Sequence, residues 1–187
     1  MSEEFSEIGF DAVEDWLVED FYSFFHQLNI LYNRLAVLDD INEKQRIVKL
    51  KPALNGSLSR VKDEHRLTVK SIEIHSPGDF NLLGIDKILV QLRGLIRDLF
   101  YANKLDKEAK REENRHKAEM NKLKEQAGQQ KILANQISML RNLGYEDEEI
   151  DVAVKALLDP LTQMSELSNK KKISLKTPNT YEPPGCQ

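Results

Sequence analysis

The sequence predicts a mostly helical α+β fold, in which a small β element in the head precedes a long charged helix and a C-terminal helical hairpin. Three observations lead to this prediction. Apolar residues recur every three or four positions in several long stretches, one short run is rich in β-branched residues, and residues 104–125 mix acidic and basic side chains without Gly or Pro. The expected organisation is an acidic arm at 1–10, an α+β head at 11–100, a charged helical stalk at 101–130, a helical hairpin at 131–168 and a disordered tail at 169–187.

The composition of the chain limits the class of protein to which it can belong. Of its 187 residues, 40% are hydrophobic and 31% are charged, which suits one modest core with solvated extensions. The single cysteine, Cys186, cannot form an internal disulfide, so a reducing compartment is expected. Eight acidic and no basic residues among the first twenty argue against a secretory signal, and no apolar run is long enough to span a bilayer. The sequence therefore predicts a cytoplasmic protein that does not span a membrane.

The charge of the chain is segmental. The formal net charge is −4, and because the first twenty residues carry −8, the rest carries +4 by difference. Along most of that remainder Lys and Arg alternate with Glu and Asp, whereas binding to a nucleic acid duplex usually needs a basic face. Nucleic acid is therefore not the expected partner.

The first helix is indicated by apolar residues at helical spacing between Val13 and Leu38. An alternative start with Asp20 as the N-cap would leave the first twenty residues as a loose acidic arm. The aromatic residues of this stretch match one helix face and are expected in the core. An interfacial membrane helix is the alternative, which the neighbouring acidic residues disfavour.

The region after this helix is predicted to hold the β element. Residues 39–66 contain turn-forming Asp, Asn, Pro and Gly, and are expected to be loop with at most one short strand near Val48. The segment Leu67–His75 is rich in β-branched residues and is the best strand in the chain. Ser76-Pro77-Gly78 should end it. Residues 78–84 should then form a structural turn, because two separated glycines without a lysine match a phosphate loop poorly.

The alternation of the predicted strand is imperfect. Leu67 and Val69 would point to one face, and Ile72 and Ile74 to the other. The strand is therefore expected either to be covered on both faces or to carry a β-bulge near Ser71.

A second helix is predicted to start at Asp86 and to continue into the charged stalk. If residues 86–143 form one rod, it would extend on the order of 85 Å at about 1.5 Å per residue, and a kink at Gly128 is the alternative that would shorten it. Its sparse apolar stripe would then be buried against another chain, or the rod would be a lone spacer between two binding ends. The stripe consists of Leu105, Ala109, Met120 and Leu123.

The C-terminal hairpin is predicted from its start and stop signals. Residues 132–143 show helical spacing and end at Gly144, which suits a left-handed C-cap. The acidic run 146–149 then marks the first turn of another helix. Asp159-Pro160 is expected to end that helix and to open a short last one.

No combination of residues in the sequence indicates a catalytic, metal-binding or cofactor site. His75, Ser76 and Asp79 are too close in sequence to converge as a triad, and the four histidines show no two-ligand metal motif. We therefore predict no catalytic residue, no metal, no cofactor and no small-molecule ligand. An enzyme with a shallow site around His65, His75, Ser76 and Asp79 is the alternative hypothesis.

The segment 137–154 reads Ile-Ser-Met-Leu-Arg-Asn-Leu-Gly-Tyr-Glu-Asp-Glu-Glu-Ile-Asp-Val-Ala-Val. It resembles the first helix, the Leu-Gly-Tyr turn and the second helix of ubiquitin-associated-type domains, over about a tenth of the chain. The resemblance implies a small protein-binding patch at Leu143, Gly144, Tyr145 and Leu161.

The chain also resembles small bacterial proteins of unassigned activity. In these, a Leu-Tyr-Asn helix, here Leu31-Tyr32-Asn33, precedes a strand ending in Ser-Pro-Gly, here Ser76-Pro77-Gly78, and a long charged helix follows. The resemblance implies a bacterial cytosolic protein, from a stress or defence context, and brings no catalytic residue with it.

Taken together, these patterns predict a non-enzymatic protein-interaction or scaffold protein. Its partner is expected to be another protein or a second copy, bound through the long helix. Beside the enzyme hypothesis, a peripheral membrane protein attached by the aromatic N-terminal helix remains an alternative.

Overall fold

The computed structural model of the chain describes residues 4–12, 16–73, 78–109, 132–169 and 173–175, with the backbone alone for 99–109, 166–169 and 174. The elements in order are β1 (Phe5–Ala12), α1 (Val18–Glu43), α2 (Leu50–Asn55), α3 (Ser57–Arg60), a 3-10 turn (Asp63–His65), β2 (Thr68–Glu73), β3 (Gly78–Ile85), α4 (Asp86–Ala109), α5 (132–142), α6 (Asp147–Asn169) and β4 (Ile173–Leu175). The architecture is mostly helical with one small antiparallel sheet, which confirms the predicted fold class.

The four strands lie in the order β2-β3-β1-β4, so β1 is an inner strand. The predicted acidic arm at residues 1–10 is therefore wrong where β1 forms. Ile8 and Phe10 are buried, whereas Glu7 and Asp11 lie on the opposite face of the sheet. The acidic side chains that suggested an arm thus project from a strand whose other face belongs to the core.

α1 begins at Val18, between the two predicted starts at Val13 and Asp20, and extends to Glu43. The carboxylate of Asp20, in its first turn, accepts a hydrogen bond from the backbone N–H of Leu17 at 3.0 Å. This contact satisfies a backbone donor at the helix entrance and favours the observed start.

Aromatic rings join α1 to the sheet. The ring centroid of Phe24 lies 5.0 Å from that of Phe10 and 5.4 Å from that of Phe80. Trp16 packs edge-on against Phe24 and Phe80. The core position predicted for Phe24 is confirmed, whereas Tyr22 is exposed.

Most of residues 39–66 are helical, so the predicted loop with a short strand near Val48 is wrong. α1 extends into this region, and α2 and α3 follow it. Leu50, Ala53 and Leu54 recur at helical spacing on α2 and are all buried. A pattern of six residues is too short to be distinguished from a strand by its periodicity alone.

Of the two alternatives expected for β2, the structure shows the β-bulge near Ser71. The register of β2 with β3 shifts between Val69 and Ser71. As a result Val69 lies opposite Leu82 and Ile72 lies opposite Phe80, on the same face of the sheet.

β3 occupies the segment that was expected to be a turn, so that prediction is wrong. Gly78–Ile85 pairs with β1 on one side and with β2 on the other. Phe80 and Leu82 are buried and Asn81 between them is only partly buried, which is the alternation of a half-covered strand. α4 then starts directly at Asp86, as predicted.

Tyr32 holds the junction between β3 and α4. Its fully buried side chain donates a hydrogen bond to the carbonyl of His65 at 2.9 Å and accepts one from the backbone N–H of Ile85 at 2.9 Å. A Cβ atom on Gly84 would lie only 2.9 Å from the Tyr32 ring. The close approach therefore favours glycine at this position.

α4 and α5 run antiparallel, side by side. The side-chain amide of Gln136 donates to that of Gln91 at 2.6 Å, and a methyl group at Gly94 would collide with Ile132. In one straight helix Gly94 and Ile132 would be about 57 Å apart. The predicted rod over residues 86–143 is therefore wrong, since the chain reverses direction between α4 and α5.

The turn between α5 and α6 follows the prediction. Gly144 has a φ of +87°, and its N–H donates to the carbonyl of Arg141 at 2.9 Å. The next N–H, from Tyr145, donates to the carbonyl of Leu140 at 3.1 Å. Glycine in the left-handed conformation thus ends α5 as expected.

α6 continues through Pro160, so the predicted break at Asp159-Pro160 is wrong. Proline removes the backbone N–H that would bond to the carbonyl of Ala156, four residues earlier. The guanidinium of Arg34 on α1 donates to that carbonyl instead. A contact from another helix thereby supplies the hydrogen bond that the proline takes away.

The predicted disordered tail at 169–187 is wrong for β4, which pairs antiparallel with the end of β1. Ile173 on β4 is buried. Residues 170–172 and 176–187 lie outside the described residues.

The hydrophobic core lies between the sheet and the helices, and α6 packs against α1, α2 and α4. None of the helices in the described ranges has an apolar stretch long enough to cross a bilayer.

Candidate binding sites

The residues implied by the resemblance to ubiquitin-associated domains do not form one exposed patch. Tyr145 and Leu161 are buried, and the Tyr145 hydroxyl accepts a hydrogen bond from the backbone N–H of Val48 at 2.8 Å. Leu143 packs partly against the core, and Gly144 is exposed. Side chains committed to their own core are not free to bind a partner.

The stripe predicted for self-association is only partly described. Leu105 and Ala109 lie on α4, where the structure describes the backbone alone. Met120 and Leu123 lie outside the described residues. Pairing through this stripe stays a prediction.

The structure does not bring together the residues of the enzyme hypothesis. The Tyr32 hydroxyl links His65 to Ile85, whereas Asp79 lies at the other end of β3. Asp79 and Ile85 are six positions apart on an extended strand, a distance of about 20 Å at about 3.3 Å per residue. His75 and Ser76 lie outside the described residues. In the described part of the chain, no three His, Cys, Asp or Glu side chains are placed to hold a metal ion.

A groove of about 780 Å³ lies between the end of α1, the first turns of α4 and one face of α5. We call it the amide groove, because carboxamides dominate its polar lining. These carboxamides are Asn42, Gln45, Gln91, Asn135, Gln136 and Asn142. The volume is within the range of about 300–1,000 Å³ that is typical of ligand pockets.

The most deeply placed amide of the groove has an unused acceptor. Gln136 is 9% exposed, and its NH₂ group donates to the side-chain oxygen of Gln91 at 2.6 Å. The side-chain oxygen of Gln136 itself is buried and has no hydrogen-bond partner among the described residues. A buried acceptor without a donor costs about 1–3 kcal/mol, so a ligand that shifts the Gln136 side chain and offers this atom an N–H or O–H donor would be favoured.

Gln45 enters the groove in a strained backbone conformation. Its φ is +45°, in the left-handed region that non-glycine residues rarely adopt. Such conformations typically cost about 1–3 kcal/mol and occur preferentially at functional sites. Glycine would adopt the same backbone without that strain, but it would remove one carboxamide from the groove.

The groove is almost free of charge. Asp39 is its one ionisable lining residue in the described ranges, and its carboxylate already pairs with the ammonium of Lys87 at 2.7 Å. Although partial burial disfavours the charged form, hydrogen bonds to Asp39 and Glu43 raise the pKa of Lys87 above its ordinary value. This ion pair therefore persists across the physiological pH range.

Apolar side chains complete the lining, between the amides. Val90 is 55% exposed, and the other apolar members are partly buried. These are Ile132, Met139 and Leu143.

Sequence reasoning missed the amide groove. One signal was present, since Gln136 interrupts the apolar stripe of α5. Its partner Gln91 is 45 residues away in the sequence, and only the reversal between α4 and α5 brings the two amides together.

Comparison with family models, with curated proteins and with solved structures finds no match to this chain. The two resemblances inferred from short motifs therefore stay predictions.

Proposed function

We propose that this chain is a non-enzymatic protein-interaction module, and that its amide groove binds an extended segment of a partner protein. The single observation behind the proposal is the buried, unused acceptor of Gln136 in a groove lined by carboxamides. A backbone N–H of a bound peptide would satisfy that acceptor.

The chemistry of the lining favours a peptide over other ligands. A carboxamide carries both a donor and an acceptor, as a peptide group does, so several amides can match an extended backbone. A nucleic acid or polyphosphate would need cations, which the lining lacks in the described ranges. The apolar positions beside the amides would accommodate the side chains of the peptide.

The proposal is tested with linear peptides selected from a random display library on the wild-type protein. We expect Gln136→Leu to weaken their binding about tenfold or more, because a buried hydrogen bond is lost. The matched control is Gln163→Leu, an exposed residue of α6 outside the groove, which should bind like the wild type. Failure to select any peptide, or equal binding by Gln136→Leu, would overturn the proposal.

A second variant separates binding from folding. Gln45→Gly relieves the strained φ and should raise the free energy of unfolding, yet it removes a groove amide and should weaken the selected peptides. A variant that is more stable but binds less cannot owe its defect to misfolding. Unchanged peptide affinity in this variant would count against the role of the groove.

Self-association is the second candidate function, and one surface of α1 favours it. Leu17, Val18 and Tyr22 are 63%, 85% and 70% exposed. Val18 and Tyr22 are four residues apart on the helix, so they form one apolar ridge, and a second copy could cover it. Light scattering after gel filtration tests this, with Val18→Asp as the variant and the exposed Ile47→Asp as the control. A strict monomer over a wide concentration range would contradict self-association.

A further inference from the structure

A second cavity, separate in its chemistry from the amide groove, lies on the other side of the last turns of α1. It has a volume of about 410 Å³ and is bounded by α1, α3, the 3-10 turn and the junction of β3 with α4. We call it the charged cavity. Its apolar lining is formed by Ala36, Val37, Ile41, Val48, Val61, Ile85 and Ile88.

The acidic wall of the charged cavity is already neutralised. Lys87 pairs with Asp39 at 2.7 Å and also with Glu43. Asp40 pairs with Arg46 at 2.7 Å and also with Lys44. The three carboxylates of the wall therefore have cation partners within the protein.

The opposite wall carries basic side chains that carboxylates of the protein neutralise little or not at all. The guanidinium of Arg60 makes no hydrogen bond or ion pair with the described residues, and Lys62 makes only a 3.4 Å contact with the exposed Glu64. Five Lys and Arg side chains and three carboxylates line the cavity, an excess of two positive charges. His65 lies beside Arg60 and Lys62 in the same lining.

The backbone that carries this basic wall is held in place before any ligand arrives, although the side chains of Arg60 and Lys62 are themselves exposed. The Tyr32 hydroxyl fixes the carbonyl of His65 at 2.9 Å. Arg66 bonds to the carbonyl of Leu58 on α3 at 3.2 Å and pairs with Asp63 on the 3-10 turn at 2.9 Å. Preorganisation of this kind lowers the entropy cost of binding.

We propose that the charged cavity binds a small organic anion with an apolar body. The anionic head would contact Arg60 and Lys62, and the apolar body would lie on the aliphatic floor. A single small molecule suits the volume of the cavity. This inference departs from the expectation from sequence that no small-molecule ligand is indicated, and it does not depend on the amide groove.

The test uses the full-length protein and the fluorescent probe 8-anilinonaphthalene-1-sulfonate, which joins an apolar body to one anionic group. We expect saturable binding, and displacement by both 1-naphthoate and 1-naphthyl phosphate. The relative strength of the two competitors then distinguishes a carboxylate from a phosphate ligand. Displacement by the cation 1-naphthylmethylammonium at the same concentrations would overturn the proposal.

Two double variants locate the binding. The double substitution Arg60→Gln and Lys62→Gln should lower the affinity for the probe about tenfold or more. Both positive charges that would contact its anionic group are then removed. Lys49→Gln with Lys51→Gln removes the same number of charges from exposed positions outside the cavity, and should leave the affinity unchanged. Equal affinity of the two double variants would overturn the assignment. An unchanged near-ultraviolet circular dichroism spectrum ensures that the probe does not report unfolding.

Discussion

At the scale of single residues, the contact between Arg34 and α6 shows how one side chain can offset the tendency of proline to break a helix. Burial lowers the pKa of Arg34, and the charge of Asp159 opposes that shift. The guanidinium compensates for part of its desolvation by donating to the carbonyl of Ala156, which Pro160 leaves without a backbone donor. Arg34 and Pro160 therefore act as a pair, although 126 positions separate them.

A double-mutant cycle tests this pairing. We expect Arg34→Met to lower the free energy of unfolding by about 1–3 kcal/mol, because the carbonyl of Ala156 loses its donor. In a Pro160→Ala background the restored N–H can bond to that carbonyl, so the same substitution should cost less. Urea denaturation of the four proteins measures both values. Equal losses in the two backgrounds would mean that the proline is irrelevant to Arg34.

Asp98 gives a prediction that depends on pH. Its side chain is nearly buried, one carboxylate oxygen has no hydrogen-bond partner among the described residues, and the other lies 3.5 Å from Arg97. Burial raises the pKa of Asp98 above its ordinary value of 3.8, although Arg97 works against the shift. A carboxyl with a raised pKa in the folded state contributes stability below the unfolded pKa, and this stability is lost as the pH rises through the folded pKa.

Asp98→Asn should therefore stabilise the protein at pH 7, and the gain should shrink as the pH falls toward the ordinary Asp range. Unfolding free energies measured from pH 3 to pH 8 check this expectation. The control is Asp151→Asn, at an exposed position of α6, for which no such pH-dependent gain is expected. A destabilised Asp98→Asn variant at neutral pH would contradict the proposed cost of burial.

At the scale of elements, the sequence predicted those features that depend on neighbouring residues. The start of α4 at Asp86, the glycine cap at Gly144 and the bulge between Val69 and Ser71 all follow from local chemistry. The strand β1 was missed because it becomes a strand through pairing with β3, far away in the chain. The strand β3 was missed because its place between β2 and β1 is set by that distant pairing as well as by its neighbour β2. The amide groove was missed for the same reason, since it requires three helices to meet.

The cap at Gly144 can be tested without any steric complication. A Cβ atom there would meet only Ile47, at 3.9 Å, so a substitution is opposed by the backbone conformation rather than by crowding. We expect Gly144→Ala to lower the free energy of unfolding by about 1 kcal/mol, and Gly144→Asn to cost less, because Asn tolerates the left-handed region. Chemical denaturation ranks the three proteins. If Gly144→Ala had the same free energy of unfolding as the wild type, the left-handed cap would not contribute to stability.

At the scale of the whole molecule, the reversal between α4 and α5 replaces the expected rod. It places α5 beside α4 and creates the amide groove at one end of α1. The charged cavity borders the same turns of α1, and Asp39 lines both sites. The two candidate sites thus share a helix end, while the aromatic contacts with the sheet lie near the other end of α1.

A distance measurement distinguishes the two shapes. Spin labels at Val90→Cys and Asn135→Cys, in a Cys186→Ser background, should be much closer than the roughly 68 Å expected for one straight helix. Both positions line the amide groove, on α4 and α5. Dilution with unlabelled protein removes distances between copies. A distribution centred near the straight-helix value would refute the reversal.

The bulge in β2 also limits how copies of this chain could assemble. A strand joining the sheet from outside needs an evenly spaced row of donors and acceptors, and the extra residue at Lys70 disturbs that row. Fibre-like growth from this margin is therefore opposed, even though Val69 and Ile72 are open to solvent. Because the sheet edge is protected in this way, copies of the chain are expected to assemble through helix surfaces rather than through the edge of β2.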